Sequence, residues 1–230
     1  MISWGALVAA LASLPDAAAA AVGADVAPGA LPAVQPLAAA EPPSGPDSRW
    51  PQLLGAQYTF IEQWQSALES PYEGPHSLLP GGDQQPTHTL GGYSGWGPVS
   101  WAQLYLDVEK FMGAGVSGAT GLGGLTNGDV IRAGTVGLKK EFYIARLYAR
   151  FMVPLGSATV HVERGQDQLP GFEATHRLEF KAGWLSAADD FDHNRYGGST
   201  RTQFMNWSLW QNTAWDYAAD TRGYTYGFEY

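Results

Sequence analysis

Residues 193 to 227, HNRYGGSTRTQFMNWSLWQNTAWDYAADTRGYTYG, mix three kinds of planar side chain. Arg195, Arg201 and Arg222 are interspersed with Asp216 and Asp220, with the amides of Gln203, Asn206, Gln211 and Asn212, and with the indoles of Trp207, Trp210 and Trp215. Guanidinium, carboxylate and amide groups make paired hydrogen bonds to vicinal hydroxyls, and an indole stacks on the apolar face of a pyranose ring. The segment has the inventory of a sugar-binding loop. The same tryptophans also suit a hydrophobic anchor that packs a loop onto a wall, and residue types alone leave both readings open.

Other constellations carry less. Gly113, Gly115 and Gly118 have the GxGxxG spacing, but a dinucleotide site needs a helix to start there. Seven glycines between Gly113 and Gly128 argue for a loop instead. In DDFDHN, Asp190, Asp192 and Asn194 alternate as calcium ligands do, yet Arg195 stands where the sharp-turn glycine belongs and Arg201 where the bidentate glutamate belongs. That excludes an EF-hand and leaves a looser calcium site or a solvated turn. His76, His88, His161, His176 and His193 show no paired metal spacing, and no GxSxG elbow occurs. Asn206-Trp207-Ser208 matches a glycosylation sequon at chance level. A glycan-cleaving enzyme using Asp189, Asp190 or Asp192 needs two carboxyls about 5 to 10 Å apart, which a sequence does not reveal. The expectation is a non-enzyme without cofactor or metal.

The net charge of -9 and the scattered 13 lysines and arginines argue against a nucleic-acid surface or a polybasic membrane patch. Cysteine is absent, which removes disulfides, thiolate zinc sites and cysteine nucleophiles. The composition also divides the chain. The first 46 residues are mostly Ala, Pro, Gly, Leu and Val, whereas the remainder holds eight of the nine tryptophans and every tyrosine. Ile2 to Leu14 is an apolar run too short to span a bilayer, of the kind found in an export signal, with small-residue cleavage options at Ala17 to Ala21 and Ala38 to Ala40. No basic residue precedes it. The division is thus a signal peptide over 1–23, an Ala/Pro-rich linker over 24–50 and a β-domain over 51–230.

In that domain apolar residues recur with period two. Tyr143, Ala145, Leu147, Ala149, Phe151 and Val153 oppose Ile144, Arg146, Tyr148, Arg150 and Met152, and Leu178, Phe180, Ala182 and Trp184 oppose Arg177, Glu179, Lys181 and Gly183. Ala102, Leu104, Leu106 and Val108 oppose Gln103, Tyr105, Asp107 and Glu109. A weaker alternation sets Tyr58, Phe60 and Trp64 against Gln57, Thr59, Gln63 and Gln65, with Glu62 on the wrong face. Residues 88–96 read as the hairpin partner of the strand after 101, through a turn at Gly97-Pro98-Val99-Ser100. The last strand sets Tyr224, Tyr226, Phe228 and Tyr230 against Thr225, Gly227 and Glu229. This makes about six strands and no amphipathic helix of three turns. Such alternation fits a soluble sandwich with the apolar face inward, or a membrane barrel with that face on lipid and a polar lumen. Aromatics toward the ends of the apolar faces, long polar loops and an export signal favour the barrel.

The run RGQDQLPG, RLEFKAGWLSAADDFDHNRY and STRTQFMNWSLWQNTAWDYAADTRGYTYG resembles the carbohydrate-selective porin family (OprB type) of Gram-negative outer membranes, and SPYEGPHSL with LDVEKFMGAGVSGATGLGGLTNGD is similar to its N-terminal half. The resemblance covers about residues 55 to 230. It implies an all-β, transmembrane antiparallel barrel of roughly sixteen strands, passive diffusion of small sugars and polar solutes, inward-folded loops, location in the bacterial outer membrane, and dealings with outer-membrane lipid and the barrel-assembly machinery. It implies no catalysis, cofactor or nucleic acid. The chain would supply an incomplete set of strands, as a truncated or split product or as one copy of a homo-oligomer.

The residues expected to line the lumen, assigned by chemistry, are Arg146, Arg150, Arg177, Lys181, Asp107, Glu109, Glu179 and Glu229. Arg195, Arg201, Trp210, Asp216 and Arg222 are expected on a loop that narrows it. The alternative expectation is a secreted, soluble β-sandwich that binds carbohydrate.

Overall fold

Period-two alternation does become strands. The computed structural model describes residues 9–10, 51–129, 139–192, 194–210 and 218–230. The expected signal peptide and linker therefore lie outside the described residues, apart from Ala9–Ala10. The strands are β1 (Ala9–Ala10), β2 (Leu53–Gln65), β3 (Asp83–Val99), β4 (Ala102–Gly113), β5 (Tyr143–Pro154), β6 (Thr159–Val162), β7 (Gly171–Ala174), β8 (Arg177–Leu185) and β9 (Thr225–Glu229). Seven of them form one antiparallel meander in the order β1-β2-β3-β4-β5-β8-β9, and β6-β7 is a separate hairpin inserted between β5 and β8. The sheet is not closed into a barrel: β1 and β9 are its two edges. Helical structure among the described residues is limited to four 3-10 segments of three to five residues. No described helix is long and apolar enough to cross a membrane, which has no bearing on strands.

The two faces of the meander differ in polarity, and the apolar one is exposed. Leu104, Leu106, Leu147, Val153, Leu178, Tyr226 and Phe228 are exposed on the outer face, while Gln103, Tyr105, Asp107, Glu109 and Arg150 are buried on the inner face. The inner face is covered by the connections. At one end of the sheet lie 66–82 and the described parts of the connections 114–142 and 186–224; at the other lie the Ser100–Trp101 turn and the 155–176 connection that carries β6 and β7. A small core of Leu53, Tyr105, Tyr148, Leu169 and Leu185 sits between the wall and these connections, with Tyr93 packed against it. Two cross-strand glycine–tyrosine pairs keep this layer thin: Gly55 faces Tyr93 and Gly95 faces Tyr105. A Cβ on Gly55 would come within 2.2 Å of the Tyr93 ring, so the ring occupies the place of a side chain.

Three expectations need correction. A β-bulge interrupts the β4–β5 pairing: Asp107 faces Arg146 but Val108 faces Ile144, leaving Ala145 as the extra residue. Strict alternation put Tyr143 and Ala145 on the apolar face. The bulge instead turns Tyr143 and Ala145 inward, with Ala145 fully buried, and Ile144 outward. Tyr224 also leaves the aromatic face, because it precedes β9 and its buried hydroxyl donates to Glu109 Oε2 at 3.3 Å. The hairpin turn lies at Ser100–Trp101 rather than at 97–100, since pairing continues to Val99 opposite Ala102. Glu62, which broke the outward pattern, is held by an amide: Gln84 Nε2 donates to its Oε1 at 2.5 Å.

Candidate functional site

Inward-pointing arginines on β5 and one on the 186–224 connection organise the inner face into three charge clusters. Arg150, on β5, forks onto two carboxylates, donating to Glu173 Oε1 and Oε2 at 2.7 and 3.0 Å and to Glu179 Oε1 and Oε2 at 2.7 and 2.8 Å. Arg177, at the start of β8, closes the cluster by reaching Glu179 at 2.9 Å and Glu173 at 3.1 Å. Because Glu173 belongs to β7, this cluster fastens the inserted hairpin to the wall. Burial alone would raise the Glu173 carboxyl, but the Arg150 and Arg177 guanidiniums more than offset it and hold it below the usual range.

Four residues away along β5 the same geometry recurs. Arg146 grips Asp189 with two bonds of 2.6 and 2.7 Å and reaches Asp107 at 3.2 Å and Asp167 at 3.4 Å. Asp167 belongs to the 155–176 connection and Asp189 to a 3-10 turn after β8, so this arginine ties both ends' connections to one strand. Three carboxylates around one guanidinium are too many. Burial, and after it the charge of Asp107, pushes the Asp167 carboxyl up to about 7. Lys181 and Asp190 form a further ion pair beside the cluster.

The third cluster centres on Arg201, whose Nε donates to Asp129 Oδ1 at 2.7 Å and whose Nη2 meets Glu109 at 3.3 Å. Burial would lower the Arg201 pKa, but the charges of Asp129 and Glu109 raise it above its ordinary value and the group stays charged. Tyr143 and Tyr224 both donate to Glu109 Oε2, at 2.7 and 3.3 Å. Burial raises the Tyr224 pKa, which keeps its hydroxyl a donor. Asp129 is positioned by Thr89, at 2.5 Å, and follows the glycine-rich segment 113–128, which lies as a loop across β2 and β3. That loop is pinned by Gln63 donating to Thr126 at 3.1 Å, Asn127 donating to Thr87 at 3.0 Å and the Ser117 amide donating to Asp83 at 2.8 Å. It forms two 3-10 turns and no α-helix, so the dinucleotide spacing has no helix N-terminus behind it.

A cavity of about 690 Å³ lies between the second and third clusters. Glu109, Arg146, Lys181, Arg201, Trp210 and Arg222, all anticipated from the sequence, line it, together with the unanticipated Asp129, Tyr143, Asp167 and Tyr224. Arg222 stacks over the Tyr143 ring at 3.8 Å. The Trp210 Nε1 is buried without a partner among the described residues, in contact distance of the Gly128 backbone, where a Cβ would lie 2.4 Å from it. Asp107 is buried behind Arg146, while Arg150, Arg177 and Glu179 form the separate hairpin cluster. Glu229, on β9, joins the inner face opposite Lys181. Arg195 is exposed over the Tyr196 ring at 5.8 Å and does not line the cavity, and Asp216 lies outside the described residues. The DDFDHN carboxylates Asp189 and Asp190 are taken by Arg146 and Lys181, and no group of three metal-ligating side chains occurs among the described residues. Asn206 of the sequon caps a 3-10 turn by accepting from the Ser208 amide at 2.9 Å.

No protein-family model matches the chain, and no curated protein and no solved structure matches it. The residues that sequence reasoning missed, Asp129, Asp167 and Glu173, carry one legible signal: each inward arginine needs carboxylates, and the wall strands supply too few.

Proposed function

We propose that this chain is part of the wall of an outer-membrane porin through which small sugars diffuse passively. The observation that carries the reading is the polarity of the sheet: outward leucines, valines and aromatics are exposed, and inward arginines and carboxylates are buried under connections. An exposed apolar face on this scale marks a surface meant for lipid or another protein, and lipid outside with charge inside is the arrangement of a transmembrane barrel. A soluble sandwich would turn these faces toward a second sheet, and no second layer covers them among the described residues. The open edges at β1 and β9 leave backbone groups unpaired, which lipid does not tolerate, so a working pore needs strands beyond the seven of this sheet.

The cavity supplies the selectivity. Arg146, Arg201, Glu109 and Asp129 offer charged hydrogen-bonding groups on opposite sides, with Trp207, Trp210, Tyr143 and Tyr224 as ring faces. Their charges are already paired with each other, so a neutral polyol exchanges bonds with them weakly and leaves again, as conduction requires. The test is uptake of neutral sugars by vesicles containing the protein. Arg201→Gln should insert normally and weaken competition between sugars about tenfold, the value of one charge-assisted hydrogen bond. Unchanged competition with normal insertion would take Arg201 out of the site, and absence of any sugar flux from inserted, assembled protein would refute the porin reading.

A further inference from the structure

The lysines are distributed unlike the arginines. The chain's lysines are Lys110, Lys139, Lys140 and Lys181, and only Lys181 is on the inner face, paired with Asp190. Of the other three, Lys110 lies on the outer face of β4, and Lys139 and Lys140 are exposed just before β5, at the same end of the sheet. On β4 the outward series runs Leu104, Leu106, Val108, Lys110, so a lysine interrupts an apolar row. Its Nζ sits 5.2 Å from the centre of the exposed Phe142 ring. Lys139 and Lys140 stand three and two residues before that phenylalanine and are exposed. Their segment is held in place because the Lys139 carbonyl accepts from Arg222 at 2.9 Å. None of the three lysines makes an ion pair among the described residues; Glu109, next to Lys110, points inward to Arg201, and Glu141, next to Lys140, is exposed and makes no ion pair either. In a chain of net charge -9 this is an unusual local excess of positive charge.

Their height on the sheet says what they would meet. Trp101 is exposed at the turn that ends the sheet on one side. From Trp101 to Lys110 the strand advances about 31 Å at 3.4 Å per residue, or about 23 Å of height at a tilt near 40°. A lipid-facing band is about 25 Å tall with aromatic girdles at both limits. Trp101 and Lys110 therefore mark the two limits, and Phe142, with Tyr58, Phe60 and His88 on neighbouring strands, forms the second girdle. A lysine placed mid-band would be costly, whereas at the girdle its ammonium reaches the headgroup layer.

We propose that Lys110, Lys139 and Lys140, backed by Phe142, form a docking site for the phosphate of an anionic lipid headgroup at the long-connection end of β4 and β5. The inference rests on the reading of the outer face as lipid-facing. Each basic residue near an anionic membrane surface is worth about a fivefold preference, so three give up to about a hundredfold, reduced by Glu141. The test uses the full chain in lipid nanodiscs made of phosphatidylcholine with a small fraction of phosphatidylglycerol. Lipids retained after transfer to detergent are counted by native mass spectrometry. The wild type should retain phosphatidylglycerol at least tenfold above its share, the Lys110→Gln/Lys139→Gln/Lys140→Gln variant should lose that enrichment, and Arg195→Gln, at an exposed site elsewhere, should keep it. Equal enrichment in the triple variant, or none in the wild type, overturns the site even when the protein inserts normally. Failure to insert into phosphatidylcholine alone, by contrast, would mean that the lipid-facing reading itself has failed.

Discussion

Replacing Arg150 by Met should release the inserted hairpin from the wall, and the size of the effect follows from its partners. The Arg150 and Glu173 side chains are 6% and 5% exposed, so both charges are desolvated and paired. Breaking a buried pair by removing one partner costs about 3 to 5 kcal/mol, because the other charge is left uncompensated. Glu173 keeps Arg177 at 3.1 Å and Gln168 at 3.1 Å after the substitution, and Glu179 keeps Arg177 at 2.9 Å. The expected loss is therefore at or just below the low end of that range, about 2 to 3 kcal/mol. Glu173→Gln keeps the shape and removes one charge, and the double variant should cost less than the sum of the singles by about 2 kcal/mol. The assay is a double-mutant cycle on denaturant unfolding in detergent, followed by far-ultraviolet circular dichroism, with limited proteolysis of residues 155–176 as a local readout. A coupling below about 0.5 kcal/mol, the scatter for independent sites, together with unchanged proteolysis, would refute the claim that this cluster fastens the hairpin.

Two further outcomes follow from the same geometry. Asp167 titrates near 7 in the folded chain against about 3.9 when unfolded, so the folded state binds the extra proton in between. Its contribution is intact below pH about 4 and is lost as pH rises through 7, by at most about 1.4 kcal/mol per pH unit. Residues 155–176 should become more open to protease between pH 5 and 8, and Asp167→Asn should flatten that trend; Asn also suits the backbone there, where φ is 53°. An unchanged pH trend in the variant would remove Asp167 as its source. Gly183 on β8 has φ 143°, and a Cβ would lie 2.4 Å from the Leu147 carbonyl oxygen. Gly183→Ala should lower stability by about 1 to 3 kcal/mol, read as a lower thermal midpoint, and an unchanged midpoint would mean that the β5–β8 ladder tolerates the shift.

The long strands were legible because alternation is a local signal: 102–109, 143–153 and 177–184 each display it, while of the pairings only the hairpin of 88–96 with the strand after 101 was read from its short turn. The bulge at Ala145 was not, since Ala fits either face and the extra residue is decided by how β4 and β5 register, with Arg146 reaching Asp107. Tyr224 continued the aromatic series of β9 in sequence and still turned inward, because Glu109, far away in the chain, offers a buried acceptor for its hydroxyl. The β6–β7 hairpin is short, and its four-residue strands carry too little alternation to stand out. The inward arginines were legible as lumen residues, but their partners Asp129, Asp167 and Glu173 lie on connections whose path over the inner face is a tertiary matter. Which face would be exposed was the question the sequence posed most sharply, and periodicity is blind to it.

The absence of cysteine allows that question to be asked residue by residue. Single cysteines at 104, 106, 147 and 149 on the outer face and at 57 and 103 on the inner face would carry an environment-sensitive fluorophore, in protein reconstituted into vesicles containing a nitroxide-labelled lipid. A lipid-facing outer face should give strong quenching by the lipid nitroxide at the four outer positions and little at the two inner ones. Absence of that alternation, or a water-soluble monomer in which the outer positions are shielded without lipid, would contradict it.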